Sequence, residues 1–293
     1  MIRLWRHIIL PVFKAANIRR ILEIGAEAGF STNVLLKYVS RNQGLLYCID
    51  PSPEFDAEEL KSNYPNHFVF YKDLSLNALP SLPQIDAVLI DGDHNWYTVY
   101  HELKEVEKIH GSNAIKQPVV FVHDISWPYG RRDLYYNPQT IPEQYCHPHE
   151  QKGILPNKSE LSFDRGLNKD LWNATHEGGE HNGVLSAVEN YLAESKLEFE
   201  FLKLPLYFGL GILITKKKLK ATDKLKTVLD GFMSYDGAMK LLAQTEHIRC
   251  VDAVFAQAAA SKLREAEDRV NQLENLLKKT SSGGLKDPKG VPL

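Results

Sequence analysis

Apolar and polar positions alternate in blocks along the first half of the chain. Short apolar runs at 20–25, 45–50, 67–72, 85–91 and 118–123 read as strands, while 31–38, 53–62 and 96–109 carry helical spacing between them. Strands that alternate with helical stretches predict a parallel sheet with crossover helices, hence an α/β fold. The pattern breaks down from 125 to 182, where Pro, Tyr, Asn, His and Gly accumulate with little periodicity. Loops of that length are usually functional or disordered, and the aromatic residues from Trp127 to Trp172 argue against disorder. Helical spacing returns at 183–195, followed by "LEFEFLKLP" and "YFGLGILIT", two strands that can pair as a hairpin. From Lys216 onward Lys, Leu, Ala, Glu and Gln dominate without a strand signal. Leu263, Ala266, Val270, Leu273 and Leu277 alternate steps of three and four, as a coiled-coil seam does. That stripe fits either a helix packed on its own domain or a dimerising coiled coil. The pattern divides the chain into a main domain at 1–218 with an insertion at 125–182, a helical extension at 219–280, and a flexible tail at 281–293.

Composition narrows the function classes. The chain has 293 residues, 43% hydrophobic and 25% charged, enough for one large core plus an appendage. A formal charge of −2 and the absence of a basic stripe give no footprint for a nucleic acid partner. Cys48, Cys146 and Cys250 lie far apart, in no zinc or disulfide spacing, which points to a reducing compartment. The N-terminal apolar run is cut by Pro11, and no stretch approaches the ~20 apolar residues of a membrane span. The expectation is a soluble cytoplasmic protein.

The candidate chemistry starts at "ILEIGAEAGFST", a strand, a glycine turn and a helix start. A phosphate-cradling loop needs a Lys-Ser/Thr pair after its glycines, and none follows. A dinucleotide site wants Gly-x-Gly-x-x-Gly, but here only Gly25 and Gly29 stand, with three residues between. The spacing resembles the first motif of the class I S-adenosylmethionine (SAM) methyltransferases, E/D-x-G-x-x-x-G, and the resemblance spans residues 18–215. It implies a Rossmann-like doubly wound sheet of seven strands, order 3-2-1-4-5-7-6 with strand 7 antiparallel, and a C-terminal helical extension. It also implies SAM as cofactor, bound by Glu23, Gly25, Ala26, Gly29 and Ser31 around the first turn. The resemblance places the ribose hydroxyls at Asp50, which ends "LLYCID", and the adenine near Asp73 and Leu74 after the third strand.

The stretch "IDAVLIDGDHNWYTVYHEL" brings Asp91, Asp93 and His94 to the end of the fourth strand, and "VVFVHDISWPYGRRD" brings His123 and Asp124 to the end of the fifth. Strand ends in doubly wound sheets face the ligand crevice. Unpartnered burial of so many ionisable groups is costly, so a metal or a hydrogen-bond network must hold them. Both stretches resemble small-molecule O-methyltransferases of the catechol and caffeoyl-CoA type and the sugar O-methyltransferases of antibiotic pathways. That resemblance matches Asp91 and Asp124 to carboxylates that hold Mg²⁺ or another divalent cation. Ile125 stands where an Asn ligand belongs, a gap that His123 or a water could fill. His94 takes the position of the general base, with Asp91 and Asp93 beside it. An alternative within the same residues is that His94 and His123 are structural, donating to Asp93 and Asp124.

The insertion is the expected acceptor side. Trp127 and Tyr129 suit stacking on a sugar or flat ring. Arg131 and Arg132 could clamp an anionic group or pair with nearby carboxylates, and Glu177 and His181 could close over the site. The leading expectation is a metal-assisted SAM-dependent O-methyltransferase acting on a glycan, sugar-containing or other small hydroxylated acceptor. The alternatives are a methyltransferase of RNA or protein and a SAM-binding assembly module without turnover, with homo-oligomer or partner contacts through the C-terminal helices.

Overall fold

In the computed structural model, which describes residues 1–282, an N-terminal helical segment ending in α1 (Leu10–Ala15) leads into a βα alternation. The elements are β1 (Arg20–Ile24), α2 (Phe30–Arg41), β2 (Leu45–Ile49), α3 (Ala57–Asn63), β3 (Phe68–Tyr71), α4 (Ser75–Ala78), β4 (Ala87–Ile90), α5 (Trp96–His110) and β5 (Val119–His123). The strands pair in parallel in the order β3-β2-β1-β4-β5. In β4 and β5 "AVLI" and "VVFV" are buried on both faces, as parallel strands covered by helices must be. These continuous apolar runs are why the strands were legible without any alternation.

Two further strands close the sheet. After α6 (Val184–Glu194), β9 (Phe199–Leu204) turns into β10 (Leu210–Thr215), which inserts antiparallel between β5 and β9. The full order β3-β2-β1-β4-β5-β10-β9 is the expected 3-2-1-4-5-7-6. The fold is therefore the Rossmann-like doubly wound sheet that the sequence predicts. Central β10 is buried throughout, whereas the edge strand β9 spaces its Phe and Leu with Glu and Lys. Helix α6 lies on α5: Trp96 Nε1 donates to Asn190 Oδ1 (2.8 Å), and Tyr191 and Ser195 both donate to Glu107 Oε2 at 2.7 Å.

The insertion is ordered around a small antiparallel sheet, β6-β8-β7, made of Leu134–Tyr135, Trp172–Ala174 and His149–Gln151. No strand was expected there, because segments of two or three residues are too short to carry a period.

The chain divides into two compact units. The first, Met1–Ser234, also holds α7 (Lys216–Lys220) and α8 (Asp223–Met233); α8 packs on α1 and buries Leu225 and Leu229. The second begins at Tyr235 and consists, among the described residues, of one 48-residue helix, α9 (Tyr235–Ser282). The flexible tail expected at 281–293 lies, apart from the last two helical residues, outside the described residues. Among the described residues no helix is long and apolar enough to cross a membrane.

Candidate active site

The glycine turn is forced by how closely two strand ends approach. Gly25 has φ +84°, and a Cβ on it would stand 2.3 Å from the Asp91 carbonyl oxygen. No other residue fits there, which brings the end of β1 against the end of β4. Gly29, at φ +74°, turns the chain into α2. Asp50, just past β2, holds the loop between them. Its Oδ2 accepts from the amides of Ala26 (2.8 Å) and Glu27 (2.9 Å), and its Oδ1 accepts from Ser52 (2.8 Å). A carboxylate offers about four lone-pair positions, so the loop takes most of them and leaves room for one more donor.

Four ionisable side chains meet at the ends of β4 and β5. His123 Nδ1 is 2.9 Å from Asp91 Oδ1 and 3.1 Å from Asp124 Oδ2, and His94 Nδ1 is 3.2 Å from the same Asp124 oxygen. Asp91 Oδ2 also accepts from the Met1 amine at 2.8 Å. Burial would lower the His123 pKa, but Asp91 and Asp124 outweigh it and push it up to about 10. Burial would likewise raise Asp91, but His123 and the Met1 ammonium hold its carboxyl well below the usual range. Asp124 sits at φ +60°, a left-handed conformation that Asp tolerates better than most residues and that is often found at functional sites. The His94 ring stacks on Tyr129, with centroids 5.7 Å apart and planes 7° from parallel. Asp93, the other carboxylate offered to His94 by the sequence, instead accepts from Thr98 Oγ1 (3.0 Å). Asp91, His123 and Asp124 each present a ligand atom within 4.8 Å of the others, a donor set suited to a divalent cation.

A cavity of about 870 Å³ joins the two regions. Gly25, Asp50 and Leu74 line one side of it, and Asp91, Asp93, His94, His123 and Asp124 line its middle. Tyr129, Tyr136, Asn137 and Asn168 of the insertion form the far wall.

Other expected residues lie elsewhere. Glu23 is buried behind the wall, where burial pushes its pKa up to about 8 and Thr32 Oγ1 donates to it at 2.7 Å. Ala26, Gly29 and Ser31 shape the turn without lining the cavity. Asp73 Oδ1 is spent on its own turn, accepting from Leu74 N (2.7 Å) and Asn77 Nδ2 (2.9 Å). Trp127, Arg131, Arg132, Glu177 and His181 do not line the cavity either. Arg132 is fully buried and donates to the carbonyls of Ala174 and Ser159, with Glu177 3.9 Å away, so it ties the insertion together rather than clamping an acceptor. Arg131 is engaged by Glu189 (2.7 Å) and Ser186 (3.0 Å), and His181 packs on Trp96.

One wall residue was not singled out from the sequence. Glu102 of α5 is fully buried, lines the cavity, and has neither carboxyl oxygen hydrogen-bonded. Burial pushes its pKa up to about 8, against a smaller opposing pull from the Ser75 hydroxyl, whose geometry falls short of a hydrogen bond. The signal was present: Val99, Glu102, Leu103 and Val106 follow the i, i+3, i+4, i+7 spacing of a buried helix face.

Residues 22–125 match the model of the family described as "Methyltransferase domain". The matched segment runs from β1 through the end of β5 and contains the glycine turn, Asp50 and the Asp91, His94, His123 and Asp124 cluster. Solved structures similar to the chain include the methyltransferase PaMTH1 of Podospora anserina bound to S-adenosylhomocysteine, at 15% identity and TM-score 0.43 over 71% of this chain and 76% of that one. Another is the 1,6-didemethyltoxoflavin-N1-methyltransferase of Burkholderia thailandensis, at 9% identity and TM-score 0.37 over 70% and 78%. No curated protein matches the sequence.

Proposed function

We propose that the protein is a metal-assisted O-methyltransferase that moves the methyl group of SAM to a hydroxyl of a sugar, glycan or other small hydroxylated molecule. The observation that carries this reading is the Asp91, His123 and Asp124 donor set beside His94, in the cavity that also holds Gly25 and Asp50. Asp50 has one acceptor position left for a ribose hydroxyl. The two-oxygen, one-nitrogen set fits Mn²⁺, Fe²⁺ or Zn²⁺ at least as well as Mg²⁺, which favours all-oxygen coordination. Ile125 is buried in the core and offers no ligand. A cation held there would lower the pKa of the acceptor hydroxyl and orient its oxygen.

The rest follows from the chain's own residues. His94, fixed by Asp124 and by the face of Tyr129, accepts the hydroxyl proton as the oxygen attacks the sulfonium methyl. Tyr129, Tyr136, Asn137 and Asn168 supply ring faces and polar edges for a hydroxylated acceptor. Positioning of the two substrates in one cavity accounts for much of the expected acceleration.

The test is transfer of labelled methyl from SAM to a panel of sugars, glycans and phenols, with EDTA and with added Mn²⁺ or Mg²⁺. EDTA should abolish transfer and the cation restore it, and Asp91→Asn should be inactive while still binding SAM. Undiminished transfer in EDTA together with an active Asp91→Asn enzyme would remove the metal. SAM binding without transfer to any acceptor in the panel would favour a binding module.

A further inference from the structure

Helix α9 carries an apolar seam in heptad register. Ala256, Ala259, Leu263, Ala266, Val270 and Leu273 follow one another in alternate steps of three and four, the a and d positions of successive heptads. Leu263, Val270 and Leu273 are 61%, 54% and 53% exposed. A seam in this heptad register, with its large residues exposed, is a surface for another helix.

The charges beside the seam select the partner. Lys262 and Arg269 immediately precede the a residues Leu263 and Val270, and so occupy g positions. Glu267 and Glu274 immediately follow the d residues Ala266 and Leu273, and so occupy e positions. In two parallel helices in register, each g residue faces the e residue five positions further along the other strand. Lys262 then meets Glu267 and Arg269 meets Glu274, twice each by symmetry, and every pair is of opposite charge. In an antiparallel pair g faces g and e faces e, so Lys and Arg face each other and Glu faces Glu. The last heptad of the seam places β-branched Val270 at a and Leu273 at d, a combination that favours two strands. We propose that residues 256–274 pair with a second copy of this chain as a parallel, in-register two-stranded coiled coil. This does not depend on the methyl-transfer reading.

The full chain should sediment as a dimer at micromolar concentration. K262E with R269E places Glu opposite Glu at all four sites and should weaken the dimer about tenfold or more, lost pairs being replaced by repulsion. Adding E267K and E274K to the same chain restores opposite charges and should recover the dimer. In a Cys250→Ser background, Leu273→Cys should form an interchain disulfide on mild oxidation, because only parallel register brings that d position against itself. A chain that stays monomeric at ~100 μM overturns the proposal. A dimer unchanged by charge reversal and unable to cross-link through Leu273→Cys overturns it too.

Discussion

Glu102 is an acid that the fold keeps protonated. Its pKa is about 8 in the folded chain against 4.5 for the free side chain. Between those values the unfolded chain releases the proton while the folded chain retains it, so stability falls as pH rises from about 4.5 to 8 and levels off above. The slope from one such group reaches ~1.4 kcal/mol per pH unit at most. Glu23, with the same direction and value, adds its own slope. Glu102→Gln should therefore flatten the decline by one group's share without removing it, in urea titrations at pH 5, 6, 7 and 8. Parallel curves for the two proteins would mean that Glu102 ionises freely. At this scale the sequence was legible where chemistry and position coincide: Asp50, Asp91 and Asp124 are carboxylates at strand ends. It was less so where identity misleads. Arg131 and Arg132 look like a pair of clamps, yet the fold buries one completely and ties the other to Glu189. His94 stands next to Asp93 in sequence but leans on Asp124, because the end of β5 lies alongside the end of β4.

At the scale of elements, one wall of the cavity is a loop held by one side chain. The glycine turn after β1 has its Ala26 and Glu27 amides fixed by Asp50 from β2, so the loop and the second strand act as a unit. Asp50→Ala should then have two effects that a pure ribose ligand would not. SAM affinity should drop by about 1.5–3 kcal/mol, the usual value of a hydrogen bond to a charged group, and more if the loop no longer holds its shape. Hydrogen exchange at the amides of Ala26 and Glu27 should also accelerate in the free protein. Weaker binding with unchanged exchange would leave Asp50 with a ribose role alone. The main strands and crossover helices were legible because burial on both faces makes β4 and β5 continuous apolar runs. The sheet β6-β8-β7 was not, since its register depends on contacts such as Asn173 Nδ2 donating to the carbonyl of Lys152, 21 residues away.

On the scale of the whole molecule, the question is where the catalytic unit ends. The loss of strand signal after Thr215 suggests a boundary near 218, but helix periodicity alone does not say which helix belongs to which unit. Helix α8 covers α1 with Leu225 and Leu229, and Lys218 of α7 donates to the Gln117 carbonyl just before β5. A chain ending at Ser234 should therefore fold, bind SAM as the full chain does, and be monomeric, having lost the α9 seam. A chain ending at Thr215 keeps every strand of the described residues but uncovers α1. The two leucines alone represent ~1.5–3 kcal/mol each, so its melting temperature should fall by several degrees or more. Melting curves and calorimetric SAM titration of the two truncations decide between the boundaries. Equal stability in both would make α7 and α8 dispensable decoration, and loss of SAM binding at Ser234 would mean that α9 supports the cofactor site.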